Sequence, residues 1–245
     1  MTILITNDDG IDSPGLKALE ERLTPGHDVW IVAPDVERSG TSHSISLREP
    51  VKFKPVRNQA FACGGTPADC VLFPLLGAIP VKPDIILSGI NMGPNLGTDI
   101  IYSGTAAAAR QAALMGYPAV AVSIASYAPP FYFDSGADFI ADSIETFVEL
   151  WRDDHFLNIN LPNLEGDSSP VEITHPSKRI YLDSLSSFKG PGTKTYYFLE
   201  GPVPEAHPEE GSDWDAVSRN TISVCPIHLH PLNRTCESLY AGLSR

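Results

Sequence analysis

Residues 2–34, TILITNDDGIDSPGLKALEERLTPGHDVWIVAP, decide the fold. Thr2–Thr6 is a short, branched, apolar run of the kind that forms a strand buried on both faces. Ser13 is a helix-capping residue, Pro14 suits the first helical position, and Leu16, Leu19 and Leu23 recur at helical spacing. HDVWIVAP, from His27, reads as a second buried strand. Strand, helix, strand in this order argues for a parallel α/β sheet.

The same alternation continues downstream. TPADCVLFPLL, from Thr66, opens like a helix with Pro67 at its first position, and PDIILSG, from Pro83, is another buried strand. SGTAAAARQAALMG, from Ser103, is an alanine-rich helix ended by Gly116. PAVAVSI, from Pro118, is a further strand, and DSGADFIADSIETFVELW, from Asp134, a long amphipathic helix. Between these, ISLREPVKFK and AFACGG alternate as a small hairpin or edge pair would. After about residue 155 the character changes. FLNINLP reads as a last sheet strand, KRIYL and TKTYYFLEG as strands without helices between them, and TISVCPIHL, from Thr221, as one more strand. The expected architecture is one α/β domain over 1–245. Its mostly parallel sheet is flanked by helices, the core spans about 1–165 plus 221–236, and a strand-rich extension covers about 170–245. An extended hairpin in that extension would need a partner chain to bury it.

Thirty acidic against seventeen basic side chains leave a formal charge of −13. Such a surface repels phosphate backbones, so duplex nucleic acid is not an expected partner. A small phosphorylated substrate is compatible with that charge where a cation or oriented N–H groups supply local positive potential. Neither a basic cluster for anionic lipid nor an unbroken apolar span is seen: Ala112–Ala128 is interrupted by Gly116, Pro118 and Ser123. Cys63, Cys70, Cys225 and Cys236 form no C-x-x-C pair, which suits thiols of a reducing compartment. The N-terminus lacks the charged and long apolar regions of a secretory signal. A soluble, cytoplasmic protein is expected.

In open parallel sheets, ligands bind outside the carboxyl ends of strands. Three polar, glycine-bearing stretches fall at such ends: NDDG after the first strand, PDVERSGTSHS after the second, and SGINMGPNLGTDIIYSGT after PDIIL. NDDG has the composition of a plain turn. Equally, burying two neighbouring acids is costly unless a cation pairs them, and Gly10 lets the chain leave the strand there so that both can face one ion. Asp8 and Asp9 with neutral oxygens from Ser39, Asn91 and Asn95 would suit a hard divalent ion and leave positions open to water. Ser103, Gly104 and Thr105 stand where a helix begins. They fit ordinary capping, and they fit an anion held by free N–H groups. Gly89, Gly93 and Gly97 match neither a dinucleotide fingerprint nor a Walker loop. His43 reads as a surface or satisfied side chain, and His228 and His230 as a two-residue arrangement without a third ligand.

TNDDG at Thr6–Gly10, APDVERSGTSHSIS at Ala33–Ser46, GGTPADCV at Gly64–Val71 and SGINMGPNLGTDIIYSGTAAAA at Ser88–Ala109 together resemble the SurE (survival protein E) family of metal-dependent nucleotidases. EGSDWDAVSRNTISVCPI, from Glu210, is similar to that family's C-terminal segment. The resemblance implies a Rossmann-like α/β fold with a projecting hairpin or tail exchanged within a homodimer or homotetramer. It implies hydrolysis of nucleoside 5′- and 3′-monophosphates, with action on short polyphosphate in some members. It also implies one divalent cation per subunit, Mg²⁺ or Mn²⁺, held by Asp8, Asp9, Ser39 and Asn91, with Asn95 and the Ser103–Thr105 turn near the phosphate. The chain departs from the family at Arg110-Gln111-Ala112, where glutamate-glycine is usual, and over Ile173–Lys194.

The mechanism expected is metal-assisted phosphomonoester hydrolysis, with Asp8 the preferred acceptor of a proton from water and a covalent aspartyl phosphate as the other route. A receiver-type signalling module also carries an acidic pair, but here LSGIN and VSIAS lack its phosphate-accepting aspartate and its lysine. Haloacid-dehalogenase-like phosphatases need D-x-D, and Gly10 occupies the second place. A non-catalytic metal- and nucleotide-binding regulatory protein is the remaining alternative.

Overall fold

The computed structural model describes residues 1–166 and 169–230. Cys236, and the parts of the expected core and extension beyond residue 230, lie outside them. The chain opens with β1 (Thr2–Thr6), α1 (Pro14–Leu23), β2 (Asp28–Pro34), β3 (Phe53–Arg57), β4 (Ala60–Cys63) and α2 (Asp69–Phe73). There follow β5 (Ile85–Met92), α3 (Gly104–Leu114), β6 (Ala119–Ala125), α4 (Asp134–Leu150) and β7 (His155–Pro162). The last part comprises β8 (Val171–Ile173), β9 (Arg179–Ile180), β10 (Ser184–Lys189), β11 (Thr195–Glu200), β12 (Glu205–Ala206), α5 (Asp213–Ser218) and β13 (Ile222–His228).

Nine strands make one sheet in the order β3-β4-β2-β1-β5-β6-β7-β13-β8. From β4 to β7 every neighbouring pair is parallel, as crossover helices require. The β3–β4 edge hairpin and the β13–β7 pair are antiparallel. Alternation along β1 sends Ile3 and Ile5 to one face and Leu4 to the other. The first face is covered by α1 and α4 through Leu16, Leu19, Leu23, Ile140 and Ile144. The second is covered by α3, whose Ala106, Ala108, Ala109, Ala112 and Ala113 are small enough to bring the helix axis close to the sheet. Each fully buried leucine or isoleucine contributes about 1.5–3 kcal/mol, and these two layers hold the frame on which the loops stand.

Several readings need correction. β5 does not stop at Gly89 but runs to Met92 through a register shift between Ser88 and Asn91, so Asn91 is a strand residue rather than a loop residue. β7 is not the last strand of the sheet, because β13 and β8 lie beyond it. The C-terminal part is not free of helices: Ser212 caps α5 by accepting the Asp215 N–H. Ser13 occupies the cap position of α1, yet its hydroxyl finds no partner among the described residues. Pro67 precedes α2 by two residues. Thr66 and Asp69 instead exchange reciprocal side-chain bonds to each other's backbone N–H, closing the turn that leads into the helix.

Within the extension, β8 belongs to the main sheet and β9 pairs with β12. The projecting piece is β10–β11, which hydrogen-bond only to each other among the described strands. Among the described residues no helix is long and apolar enough to cross a membrane.

Candidate active site

β2 leaves β1 on one side and β5 flanks it on the other, so the carboxyl ends of these strands open a crevice at the point where strand order reverses. The turn after β1 is built by Asn7. Its amide donates to the Gly10 carbonyl at 2.9 Å and accepts the Gly10 N–H at 3.1 Å. Gly10 completes the turn at φ +104°, a backbone conformation that side-chain-bearing residues rarely adopt. The stretch NDDG is therefore both a turn and the presentation of two acids: the turn lifts the chain out of the strand so that the carboxylates need not face opposite sides of the sheet.

Asp8 is 4% exposed. One of its carboxylate oxygens accepts the Thr105 hydroxyl. Burial raises its pKa above the usual carboxylate range, opposed by the Thr105 hydroxyl and by backbone N–H groups that include those of Thr105 and Gly104. Asp9 accepts the Met92 N–H at 3.1 Å. It is pushed up to about 6, first by burial and then by the Asp8 charge. Neither acid has a basic partner among the described salt bridges.

The loop after β2 is tied across to the entry of α3. Ser42 donates its N–H to the Tyr102 carbonyl at 3.0 Å and its hydroxyl to the Ile101 carbonyl at 2.7 Å. Further along, Ser46 donates both N–H and hydroxyl to the buried Asp69, at 3.0 and 2.7 Å. Ser39, held in this loop and lining the crevice, donates to Glu37 at 3.0 Å, which leaves its oxygen free to accept or coordinate. Asn91 donates its amide to the Gly93 carbonyl at 2.8 Å, so the carbonyl end of the side chain is left to accept or coordinate. Asn95 is the most firmly held. Its backbone N–H goes to Asn160, its carbonyl accepts from Asn158 and Asn160, and its side-chain amide donates to Ser123 at 2.8 Å.

Asp8, Ser39, Asn91, Asn95 and Ser103 line one open cleft of about 280 Å³, joined there by Asp99, Tyr102 and Tyr181. Asp9 stands at its edge through Met92. Gly104 and Thr105 lie behind Asp8 rather than in the cleft. A Cβ on Gly104 would come within 2.8 Å of an Asp8 carboxylate oxygen, so only glycine lets the helix end seat against the acid. Ser103 accepts the Ala106 N–H at 3.0 Å as the cap of α3, and its hydroxyl proton remains available to the cleft. Thr105, expected with Ser103 and Gly104 near the phosphate, commits its hydroxyl to Asp8, and the first N–H groups of α3 act partly on that same carboxylate.

His43 has its Nε2 2.9 Å from the Gln111 side-chain oxygen, and burial lowers its pKa, so it sits as a satisfied neutral imidazole outside the cleft lining. His228 contacts the Asp154 carbonyl at 2.7 Å. Cys63, Cys70 and Cys225 are buried and free. Asp99, Tyr102 and Tyr181 were not visible as site residues in the sequence. Tyr102 had a signal in its position directly before the cap Ser103, whereas Tyr181 is brought in from the extension and had none.

The donor set is oxygen only. Among the described residues no three of His, Cys, Asp and Glu gather in a way that could hold a metal. Two raised carboxylates with neutral hydroxyl and amide oxygens beside them fit a hard divalent cation with open positions, not a saturated cage.

Comparison with known proteins places these features in a family. A family model described as "Survival protein SurE" matches residues 3–183. A Kosmotoga olearia protein named "5'-nucleotidase SurE" is 40% identical over 240 residues, covering 96% of this chain and 94% of that protein. One of the same name from Geobacter sulfurreducens is 41% identical over 248 residues, covering 100% and 92%. The crystal structure of SurE protein from Aquifex aeolicus superimposes with a TM-score of 0.87 at 35% identity, covering 100% of both chains.

Proposed function

This chain belongs to the survival protein SurE family, and from that premise we propose that it is a 5′-nucleotidase that hydrolyses nucleoside monophosphates to nucleoside and phosphate. Relatives that cover nearly the whole chain carry that activity in their names. The observation that carries the reading is the Asp8–Asp9 pair: two acids raised by burial, without a basic partner among the described residues, beside a solvent-open cleft and a helix end. Action on 3′-monophosphates and short polyphosphate belongs to the same proposal, as the family resemblance implies.

Asp8, Asp9, Ser39 and Asn91 would hold one Mg²⁺ or Mn²⁺ per subunit. When bound, such an ion supplies neutralising charge for the acid pair and Lewis acidity toward a phosphoryl oxygen. The chain's own groups do the rest. Thr105 and the α3 N-terminus fix the orientation of Asp8. The Ser103 hydroxyl donates toward a phosphoryl oxygen, and Asn95, immobilised by Asn158, Asn160 and Ser123, sets the opposite wall. Asp8 is the preferred acceptor of a proton from the attacking water, through the carboxylate oxygen that Thr105 does not occupy.

The β10–β11 hairpin exposes Leu185, Phe198 and Leu199, each more than half accessible. An isolated two-stranded hairpin is marginal in water, so we assign its cover to a second copy of the chain, in a homodimer or homotetramer. The buried free thiols suit a cytoplasmic enzyme.

Incubation with AMP and Mn²⁺, with and without EDTA, separates this reading from a non-catalytic metal- and nucleotide-binding protein. Asp8→Asn should nearly abolish cation-dependent phosphate release while circular dichroism stays unchanged. Turnover near the wild-type rate would reject the scheme.

A further inference from the structure

Three side chains of the cleft, Tyr102, Tyr181 and Met92, have no role in holding a cation or a phosphate. They form its apolar side. Tyr102 stands directly before the cap Ser103 with 58% of its surface accessible. The Tyr181 ring meets it edge to face, with centroids 6.3 Å apart and planes at 86°. Tyr181 is itself clamped. Its hydroxyl donates to one Asp99 oxygen, and Asp99 receives Nε of Arg179 on the other at 3.1 Å. Arg179 donates from Nη2 to the Tyr127 hydroxyl and the Pro204 carbonyl, both at 2.7 Å, and only 1% of its side chain is exposed. Charge-assisted bonds to a buried guanidinium therefore fix one ring, and that ring braces the other.

The arrangement has a direction. Ser103 and Tyr102 line the same open cleft, so a phosphate at the Ser103 end of α3 that carries its ester group toward solvent has the accessible ring of Tyr102 beside it. We propose that Tyr102, braced by Tyr181, is the stacking platform for the nucleobase, with Met92 adding apolar contact. The proposal rests on the nucleotidase reading and names the part of the substrate that the cleft selects. Stacking reads planarity, because every base has a π-face. The Tyr181 hydroxyl is already committed to Asp99, so it supplies no donor to read a base edge. The enzyme should accept purine and pyrimidine nucleotides alike, purines better, and discriminate against phosphomonoesters that lack a planar group. Arg179 acts through Asp99 and Tyr181, as a positioning residue.

The test compares kcat/KM for AMP with kcat/KM for glycerol phosphate in the presence of Mn²⁺, for wild type, Tyr102→Ala and Tyr102→Phe. Loss of one base–aromatic stack should lower the AMP to glycerol phosphate ratio by about 5- to 150-fold in Tyr102→Ala, chiefly through KM. Tyr102→Phe, which keeps the ring, should retain the wild-type ratio. A ratio unchanged in Tyr102→Ala, or lost equally in Tyr102→Phe, overturns the platform. Calorimetric titration with adenosine, which requires no hydrolysis, tests it separately. Adenosine should bind wild type and Tyr102→Phe and bind Tyr102→Ala at least fivefold more weakly; equal binding to all three overturns the platform. Adenosine binding of the expected pattern without phosphate release from any ester would sink the nucleotidase reading alone.

Discussion

Replacing Asp9 by asparagine should remove activity and yet stabilise the cation-free protein. The Asp9 pKa is pushed up to about 6 from an ordinary 3.8. At about pH 7.5 the group is ionised in both the folded and the unfolded chain, so the folded state carries the whole penalty. Some two units at about 1.4 kcal/mol each set a ceiling near 3 kcal/mol. Asp9 is partly accessible, and solvent screening brings the expected figure to about 1–2 kcal/mol. Asparagine retains an oxygen to accept the Met92 N–H and removes only the charge. In a chain of this length 1 kcal/mol corresponds to about 2–4 °C, so Tm in EDTA should rise by about 2–8 °C. The sign of the pH dependence follows from the same shift. A carboxyl whose folded pKa exceeds its unfolded value binds its proton more tightly in the folded state, so stability falls as pH rises from about 4 to about 6 and stays low above that. Calorimetric scans in EDTA across this window should show a shallower fall for Asp9→Asn than for wild type. Adding Mn²⁺ should then raise the Tm of the wild type and leave that of the variant nearly unmoved. A variant less stable than wild type in EDTA, or an equal Mn²⁺ response in both, would refute the claim that this acid is an uncompensated charge awaiting a cation.

Gly104→Ala places a methyl 2.8 Å from an Asp8 oxygen and 3.0 Å from Pro67 Cγ. Urea titration should show a loss of about 1–3 kcal/mol, and AMP turnover should fall more than tenfold; unimpaired turnover would mean Asp8 does not depend on that seat. Asp213 is fully buried and accepts the Gly97 and Ser177 N–H groups at 2.7 and 2.9 Å, clasping the loop beyond Asn95 to the extension. Asp213→Ala should destabilise by about 3 kcal/mol through the stranded donors and raise KM for AMP, whereas Asp213→Asn should recover part of both. Leu185 and Leu199 face each other across the hairpin, and the double change Leu185→Glu, Leu199→Glu should lower the sedimenting mass in ultracentrifugation. An unchanged mass would remove the hairpin from the subunit contact.

Local pattern carried the central part of the molecule. The apolar runs of β1, β2 and β6 and the leucines of α1 declare their partners by periodicity, because burial on one or both faces is a property of neighbouring residues. The acid pair was equally legible, since two carboxylates after a buried strand have few stable arrangements. Pattern misled where long-range pairing outweighed it. Gly89 looked like the end of a strand, but β6 continues the ladder to Met92. In α5, the Ser212–Asp215 capping signature stood in the sequence, and the surrounding strand-like runs hid it.

By itself the sequence determined a parallel α/β frame and the two acids at the head of its crevice, because both follow from contacts a few residues apart. Only the folded chain decided where the hydroxyl of Thr105 points, what immobilises Asn95, and that Tyr181 and Arg179 reach the cleft. Those partners lie 28 to 97 residues apart along the chain. Burial and geometry bring them together, and no local periodicity encodes a hydrogen bond of that span.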